Sequence, residues 1–325
     1  MPAVSVIIPV YDVEPYMARC ARSLFKQTLE DIEFLFMDDC SPDHSVALIR
    51  QIVETEFPER ASQVRIFRMP VNSGQAAVRM KALEIATGQY VIHCDSDDYL
   101  SSTDAYERMY EKALAEDLDI VTCNYEVERD GKVVDRYSGE CTDVRQMLLG
   151  NARWSLFCQM VRKSLFDSGI TAPVANMGED MVLSVQARLK ARRSGHIDCC
   201  FYRYCLRDDS IYNTPGEEAL LARWKNLMNN TRLLVGLLQQ TYGYSGEEPE
   251  LVWYKYNSRC LIRPLVHHPE CYRLWRSTYP EVDRKVLWMP VFSLEEKFWF
   301  LLIHLHLYHP VKCITGFIRR RNPSK

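Results

Sequence analysis

The 325-residue sequence predicts an α/β fold, a doubly wound, mostly parallel sheet followed by a mainly helical C-terminal extension. Three observations carry that prediction. Five short apolar runs, at residues 4–10, 32–37, 64–69, 90–94 and 119–123, suit strands buried on both faces. Between them apolar residues recur at helical spacing, so strand and helix alternate four times. Right-handed crossovers then place helices on both faces of a parallel sheet. From Glu217 onward the pattern is mostly helical, with breaks at residues 243–249 and at Pro264, Pro269, Pro280 and Pro290.

The first strand, VSVIIPV, leads into a helix whose apolar face is Met17, Cys20, Ala21, Leu24 and Phe25. The second strand runs into the acidic pair Asp38-Asp39, and the helix after it carries Val46, Ile49 and Val53. The third strand precedes the stretch NSGQAAVRMKAL at residues 72–83. The fourth ends in a second acidic cluster, Asp95, Asp97 and Asp98, before a helix with Tyr106, Met109, Tyr110, Ala113 and Leu114 on one side. After Cys123 the pattern changes: Asp130-Gly131, between apolar stretches at residues 125–128 and 132–137, reads as a hairpin turn. A short helix near residues 143–149 follows.

Composition narrows the function. Hydrophobic residues at 47%, charged residues at 26% and a net charge of -3 describe an ordinary globular chain and argue against a general nucleic-acid binder. The 12 cysteines show no C-x-x-C pair and read as reduced thiols of a cytosolic protein. The N-terminus lacks a basic flank and meets Pro9 and Asp12 too early for a signal peptide. No apolar run reaches the ~20 residues that span a bilayer. From Lys297 to the end there are six Lys or Arg residues and no acid. The apolar stretch at residues 298–308, followed by Arg319, Arg320 and Arg321, suits a peripheral helix on an anionic membrane, or a core-packed helix with a solvated basic tail.

In an open α/β sheet, ligands bind beyond the carboxyl ends of the strands, so the two acidic clusters should open toward one crevice. Carboxylates gathered as closely as Asp95, Asp97 and Asp98 repel one another, and a bound divalent cation with a phosphate ligand would relieve them. In MDDCSPDHS a strand exit, two acids and a Ser-Pro-Asp helix start direct backbone N–H groups and a carboxylate toward one pocket.

Five segments in order, VSVIIPVYD (4–12), FLFMDDCSPDHS (34–45), NSGQAAVRMKAL (72–83), GQYVIHCDSDDYL (88–100) and MGEDMVLSVQ (177–186), resemble family 2 inverting glycosyltransferases with the GT-A fold. The resemblance covers about the first two thirds of the chain. It implies a Rossmann-like GT-A domain over residues 1–215. Beyond its reach, the helical pattern and basic tail of residues 216–325 suggest an acceptor- or membrane-associated region. The resemblance also implies transfer of a sugar from a nucleotide diphosphate donor, UDP-linked, to a glycan or lipid-linked glycan in polysaccharide assembly at the cytoplasmic membrane face.

The resemblance assigns roles by position. Pro9 and Tyr11 border the nucleotide base, and Asp39 accepts a base N–H. Asn72, Gly74 and Arg79 line the base and ribose side. Asp95 and Ser96 lie by the donor ribose, while Asp97 holds Mn2+ or Mg2+ at the diphosphate. Asp180 is the base that deprotonates the acceptor, with Glu179 in reserve. Arg207 and Ser210 are phosphate contacts, and Trp154 and Phe157 border the acceptor pocket unless they pack in the core. Met80 and Asp12 stand where the family commonly has Asn.

Other functions fit less well. A strand followed by D-S-D also describes the nucleophile loop of haloacid-dehalogenase-like phosphatases, but those place it on the first strand. No G-x-G-x-x-G follows the first strand here, as a nicotinamide enzyme requires. A non-catalytic sugar-nucleotide-binding or assembly protein retaining the fold is the alternative of a different class.

Overall fold

The computed structural model describes residues 1–207, 215–308 and 310–311. Its first part runs β1 (Val4–Val10), α1 (Glu14–Phe25), β2 (Ile32–Asp38), α2 (Ser45–Glu56), β3 (Val64–Arg68), α3 (Gln75–Ile85), β4 (Tyr90–His93) and β5 (Tyr99–Leu100). It continues with α4 (Ala105–Ala115), β6 (Ile120–Arg129), β7 (Lys132–Tyr137), α5 (Val144–Leu148), β8 (Gln159–Arg162), α6 (Ser164–Asp167), α7 (Glu179–Lys190) and β9 (Ser194–Cys205).

One sheet joins these strands in the order β3-β2-β1-β4-β8-β6-β9-β5, with β7 paired to β6. Strands β3, β2, β1 and β4 are parallel, which is the doubly wound half that the alternating pattern predicts. The fifth predicted run does not extend this half directly. It begins the long strand β6, and β8 inserts between β6 and β4, antiparallel to both. Four residues of β8 are too few to display a period, and the choice of neighbour is made by packing across the sheet. The hairpin turns where expected, with Asp130 and Gly131 both at positive φ, as a two-residue turn requires.

Successive side chains of a strand point to opposite faces, and the two faces meet different layers. Val4, Val6, Ile8 and Val10 of β1 pack with Phe34 and Phe36 against α1, α2 and α4, through Met17, Leu24, Ile49 and Met109. Ile7, Leu35, Met37 and Val91 face the other way, toward Val78, Ala82 and Leu83 of α3 and Ala187 of α7. Burial on both sides is why these strands read as unbroken apolar runs.

The chain divides into two compact units, Met1–Asn213 and Thr214–Lys325, two residues before the boundary that the sequence suggests. The second is helical: α8 (Glu217–Thr241), α9 (Pro249–Arg259), α10 (Pro269–Ser277), α11 (Asp283–Val286) and α12 (Leu294–His304). Pro249 and Pro269 open their helices, where the missing N–H costs nothing. A capping box between Ser293 and Glu296 starts α12. Trp224, Met228, Val252, Tyr256, Trp275 and Phe300 form this unit's own core, and the buried Arg259 guanidinium lies over the Trp275 ring and pairs with Asp283. Among the described residues no helix is long and apolar enough to cross a membrane.

Candidate functional site

The candidate site is assembled where β1, β2 and β4 end and α3 and α7 begin. Near the end of β1, Pro9 pairs in register with Met37, and Tyr11 stands about half exposed at the strand's exit. Asp12 follows at positive φ, its N–H donating to the Ser41 hydroxyl at 2.9 Å. The turns after β1 and β2 are tied together. The Glu14 N–H donates to Asp43 at 2.8 Å, and the His44 N–H donates to Glu14 at 2.9 Å. Burial pushes the Asp43 carboxyl up. Bonds from the Ser41 and Ser45 hydroxyls and from the Glu14 and Ser45 N–H groups outweigh it and bring the pKa down to about 2.

The acidic pair after β2 does two jobs. Asp38 accepts from the Ser41 N–H at 2.7 Å and pairs with Arg68 at 3.2 Å. Buried Asp39 accepts the backbone N–H of Ser73 at 2.7 Å and of Gly74 at 2.8 Å, one on each carboxylate oxygen. It therefore positions the Asn72-Ser73-Gly74 loop, and each oxygen retains a second lone pair. Gly74 has φ +80°, and a Cβ there would fall 2.1 Å from the Asn176 side chain. Asn176 fills that space and accepts the Ala76 N–H at 3.1 Å, joining the start of α3 to the segment ahead of α7.

Arg79 is the centre of the arrangement. Its fully buried guanidinium reaches Asp95 at 2.8 Å, Glu179 at 3.0 Å and, through the nitrogen that meets Glu179, Asp180. The Gln75 amide also donates to Asp95, at 3.2 Å. The Asp95 and Asp180 side chains keep 21% and 23% of their surface exposed, against 3% for Glu179. Burial pushes the Glu179 carboxyl up despite Arg79. One guanidinium cannot neutralise three carboxylates, so the cluster stays net negative. Behind it, burial and the charge of Arg79 hold His93 neutral.

The loop after β4 is braced from β9. The Tyr202 hydroxyl donates to Asp98 at 2.8 Å and accepts the Asp95 N–H at 3.0 Å, while the Cys205 N–H donates to Asp98 at 2.7 Å. Asp98 is buried and shapes the turn. Burial first, then the charges of Asp97 and Asp95, push its carboxyl well above the usual range. Ser96 is buried beside it. Asp97 is partly open to solvent and pairs with Arg207 at 2.8 Å, and the Arg207 guanidinium lies over the Tyr16 ring. Burial and Asp95 push the Asp97 carboxyl up against the pull of Arg207.

Asp95 and Asp97 fit a hard divalent cation. They offer oxygen donors with solvent access, and added positive charge would offset the strain on Asp97. Among the described residues, three metal-ligating side chains converge at Glu217, His267 and His268 in the second unit, not at this loop. A cation here would complete its shell with water and diphosphate. Phe157 is a core residue, stacked on Tyr202 with centroids 4.2 Å apart, so it does not border a pocket. Trp154 is half-buried and its carbonyl accepts from Ser184. Ser210 lies outside the described residues. Gln75, Asn176 and Tyr202 were not singled out by the sequence. Only Asn176, beside the Gly178-Glu179-Asp180 turn, carried a local signal.

The profile described as glycosyl transferase family 2 matches residues 5–167, half of the chain. The chain belongs to this family. Among family 2 relatives, the Bacillus subtilis protein described as uncharacterized glycosyltransferase EpsJ is 37% identical over 125 residues, 38% of this chain and 34% of that protein. Escherichia coli YibD, also described as an uncharacterized glycosyltransferase, is 28% identical over 221 residues, 64% of this chain and 62% of that one. The poly(ribitol-phosphate) beta-glucosyltransferase of Bacillus spizizenii is 30% identical over 212 residues, 63% and 32% of the two chains. The matched region thus spans between a third and three fifths of these relatives' lengths. Staphylococcus aureus TarS residues 1–349, solved with UDP-GlcNAc, superposes with a TM-score of 0.61 at 16% identity, over 98% of this chain and 92% of that one. The mannosyltransferase PcManGT of Pyrobaculum calidifontis, solved with GDP-Man and Mn2+, gives 0.54 at 14% identity, over 96% and 86%. These likenesses identify the fold as GT-A.

Proposed function

We propose that this family 2 chain transfers one sugar, with inversion, from a nucleoside diphosphate sugar to a hydroxyl of a glycan or lipid-linked glycan, in polysaccharide assembly at the cytoplasmic membrane face. The observation that carries this reading is the single buried guanidinium of Arg79 joining Asp95, of the nucleotide-side loop, to Glu179 and Asp180 at the start of α7. The groups proposed for the donor and for the acceptor proton thereby belong to one ion-pair cluster. The donor is UDP-linked, a reading supported by TarS, solved with UDP-GlcNAc and with UDP.

Tyr11, at the edge beside Pro9, stacks on the base, and Asp39 offers its remaining lone pairs to a base N–H. The Asn72–Gly74 loop and Arg79 line the ribose side with Asp95 and Ser96. Asp97 holds Mn2+ or Mg2+, which when bound offsets the charge that develops on the departing diphosphate. Arg207, adjoining Asp97, meets the same phosphates. As the acceptor oxygen bonds to the anomeric carbon, its proton passes to Asp180 and the nucleoside diphosphate leaves with the electron pair of the broken bond. Asp180 suits this role better than Glu179 because its side chain keeps solvent access.

Calorimetry against UDP-, GDP- and dTDP-sugars, with and without Mn2+, tests the reading together with two variants. Asp97→Ala should lose metal-supported donor binding. Asp180→Asn should retain donor binding while transfer falls by roughly 100-fold or more. Undiminished transfer in Asp180→Asn removes it from the base role, and failure of every nucleotide to bind overturns the reading as a whole.

A further inference from the structure

Helix α12 is apolar on two opposite faces, and the core of its unit covers one of them. Phe300 and Ile303 are buried there, and Leu302 is buried between the two faces. At about 100° per residue, Leu294, Phe298, Leu301 and the capping Leu305 fall within roughly 60° on the other side. They are 86%, 50%, 43% and 62% exposed. Single exposed leucines are ordinary, but four large apolar side chains in one stripe mark an interaction surface. Trp288, just upstream, is 83% exposed.

We propose that this stripe is an interfacial docking surface for an anionic lipid bilayer. Charge selects the occupant. From Lys297 to residue 325 the sequence has six Lys or Arg residues and no acid, and Lys297 itself flanks the stripe. The two acids of α12 are engaged at its start. Glu296 closes the capping box and accepts from the Trp253 indole at 3.0 Å, and Glu295 accepts from the Trp299 indole at 3.1 Å. Apolar side chains followed only by cations match acyl chains beneath anionic headgroups.

Length fixes the mode of binding. The 11 residues of α12 span roughly 16 Å, about half of a bilayer's hydrocarbon thickness, so the helix lies on the surface without crossing it. A second copy of the chain is a poorer occupant, because a stable protein interface engages about 20–30 residues a side. The inference rests on the second unit alone and is independent of the sugar-transfer reading.

The test floats the full chain with phosphatidylcholine vesicles, with and without phosphatidylserine, at low and high salt. Two variants accompany it: Phe298→Asp/Leu301→Asp, and Arg319→Gln/Arg320→Gln/Arg321→Gln. Binding should require phosphatidylserine and weaken with salt. The first variant should lower the partition coefficient at least roughly tenfold, and the second about fivefold per charge removed, with circular dichroism melting unchanged in both. Should the double variant fail to fold, Leu294→Asp, in the most exposed position of the stripe, gives the same readout. Full vesicle binding by a folded stripe variant overturns the proposal, since the tail then acts alone. So does a wild-type chain that ignores the vesicles, whether it is a dimer that the stripe variant dissociates or a monomer whose own tail covers the helix.

Discussion

Arg79 is the residue on which the site turns. Its removal leaves Glu179 buried without its countercharge and lets Asp95 and Asp180 repel each other. Breaking a buried pair from one side costs about 3–5 kcal/mol, so Arg79→Met should lower the unfolding free energy read from denaturant titration by about that amount. Arg79→Lys should recover only a part, because an ammonium cannot serve three carboxylates from one plane. The individual residues were legible in the sequence because each sits in a short contiguous run at a strand exit: Asp39 after β2, Asp95 and Asp97 after β4. Their joining was not, since the partners of Arg79 lie 16, 100 and 101 residues away. Read locally, Arg79 passes for a helix-surface arginine, and nothing in the composition of β9 marks Tyr202 as the brace of the Asp95 loop.

At the scale of elements, the crevice is a set of turns held to one another. The Asp43 carboxylate fastens the turn after β2 to the start of α1, and its depressed pKa makes that fastening sensitive to pH. A carboxylate at about 2 in the folded chain and near 3.8 when unfolded adds stability above the unfolded value, and loses it as pH falls through the folded one. The stability difference between the wild type and Asp43→Asn should therefore be constant above about pH 5, shrink below about pH 4 and level off only below about pH 1. Unfolding midpoints measured across that range check it, and a difference independent of pH would remove Asp43 from this role. The parallel strands were legible for a related reason: strands covered on both faces cannot alternate, and their apolar runs stand out. Strand β5 has two residues and β8 four, too short for any period. Strand β9 mixes exposed and buried positions irregularly along its length, so its place in the sheet is fixed by pairing with β6.

At the scale of the whole molecule, two units with separate cores should unfold as separate transitions in calorimetry. On the proposed reading a nucleotide sugar with Mn2+ binds at residues of the first unit, so it should raise one midpoint and leave the other where it was. A single transition that moves as one would show that the units melt together. The pairing of Arg207 with Asp97 bears on how such a protein meets its ligands. Because the chain carries its own counter-ion at that carboxylate, the Asp97 loop should keep its shape without a metal. On the proposed reading, cation scarcity would then limit capture of the nucleotide while sparing the abundance of folded protein.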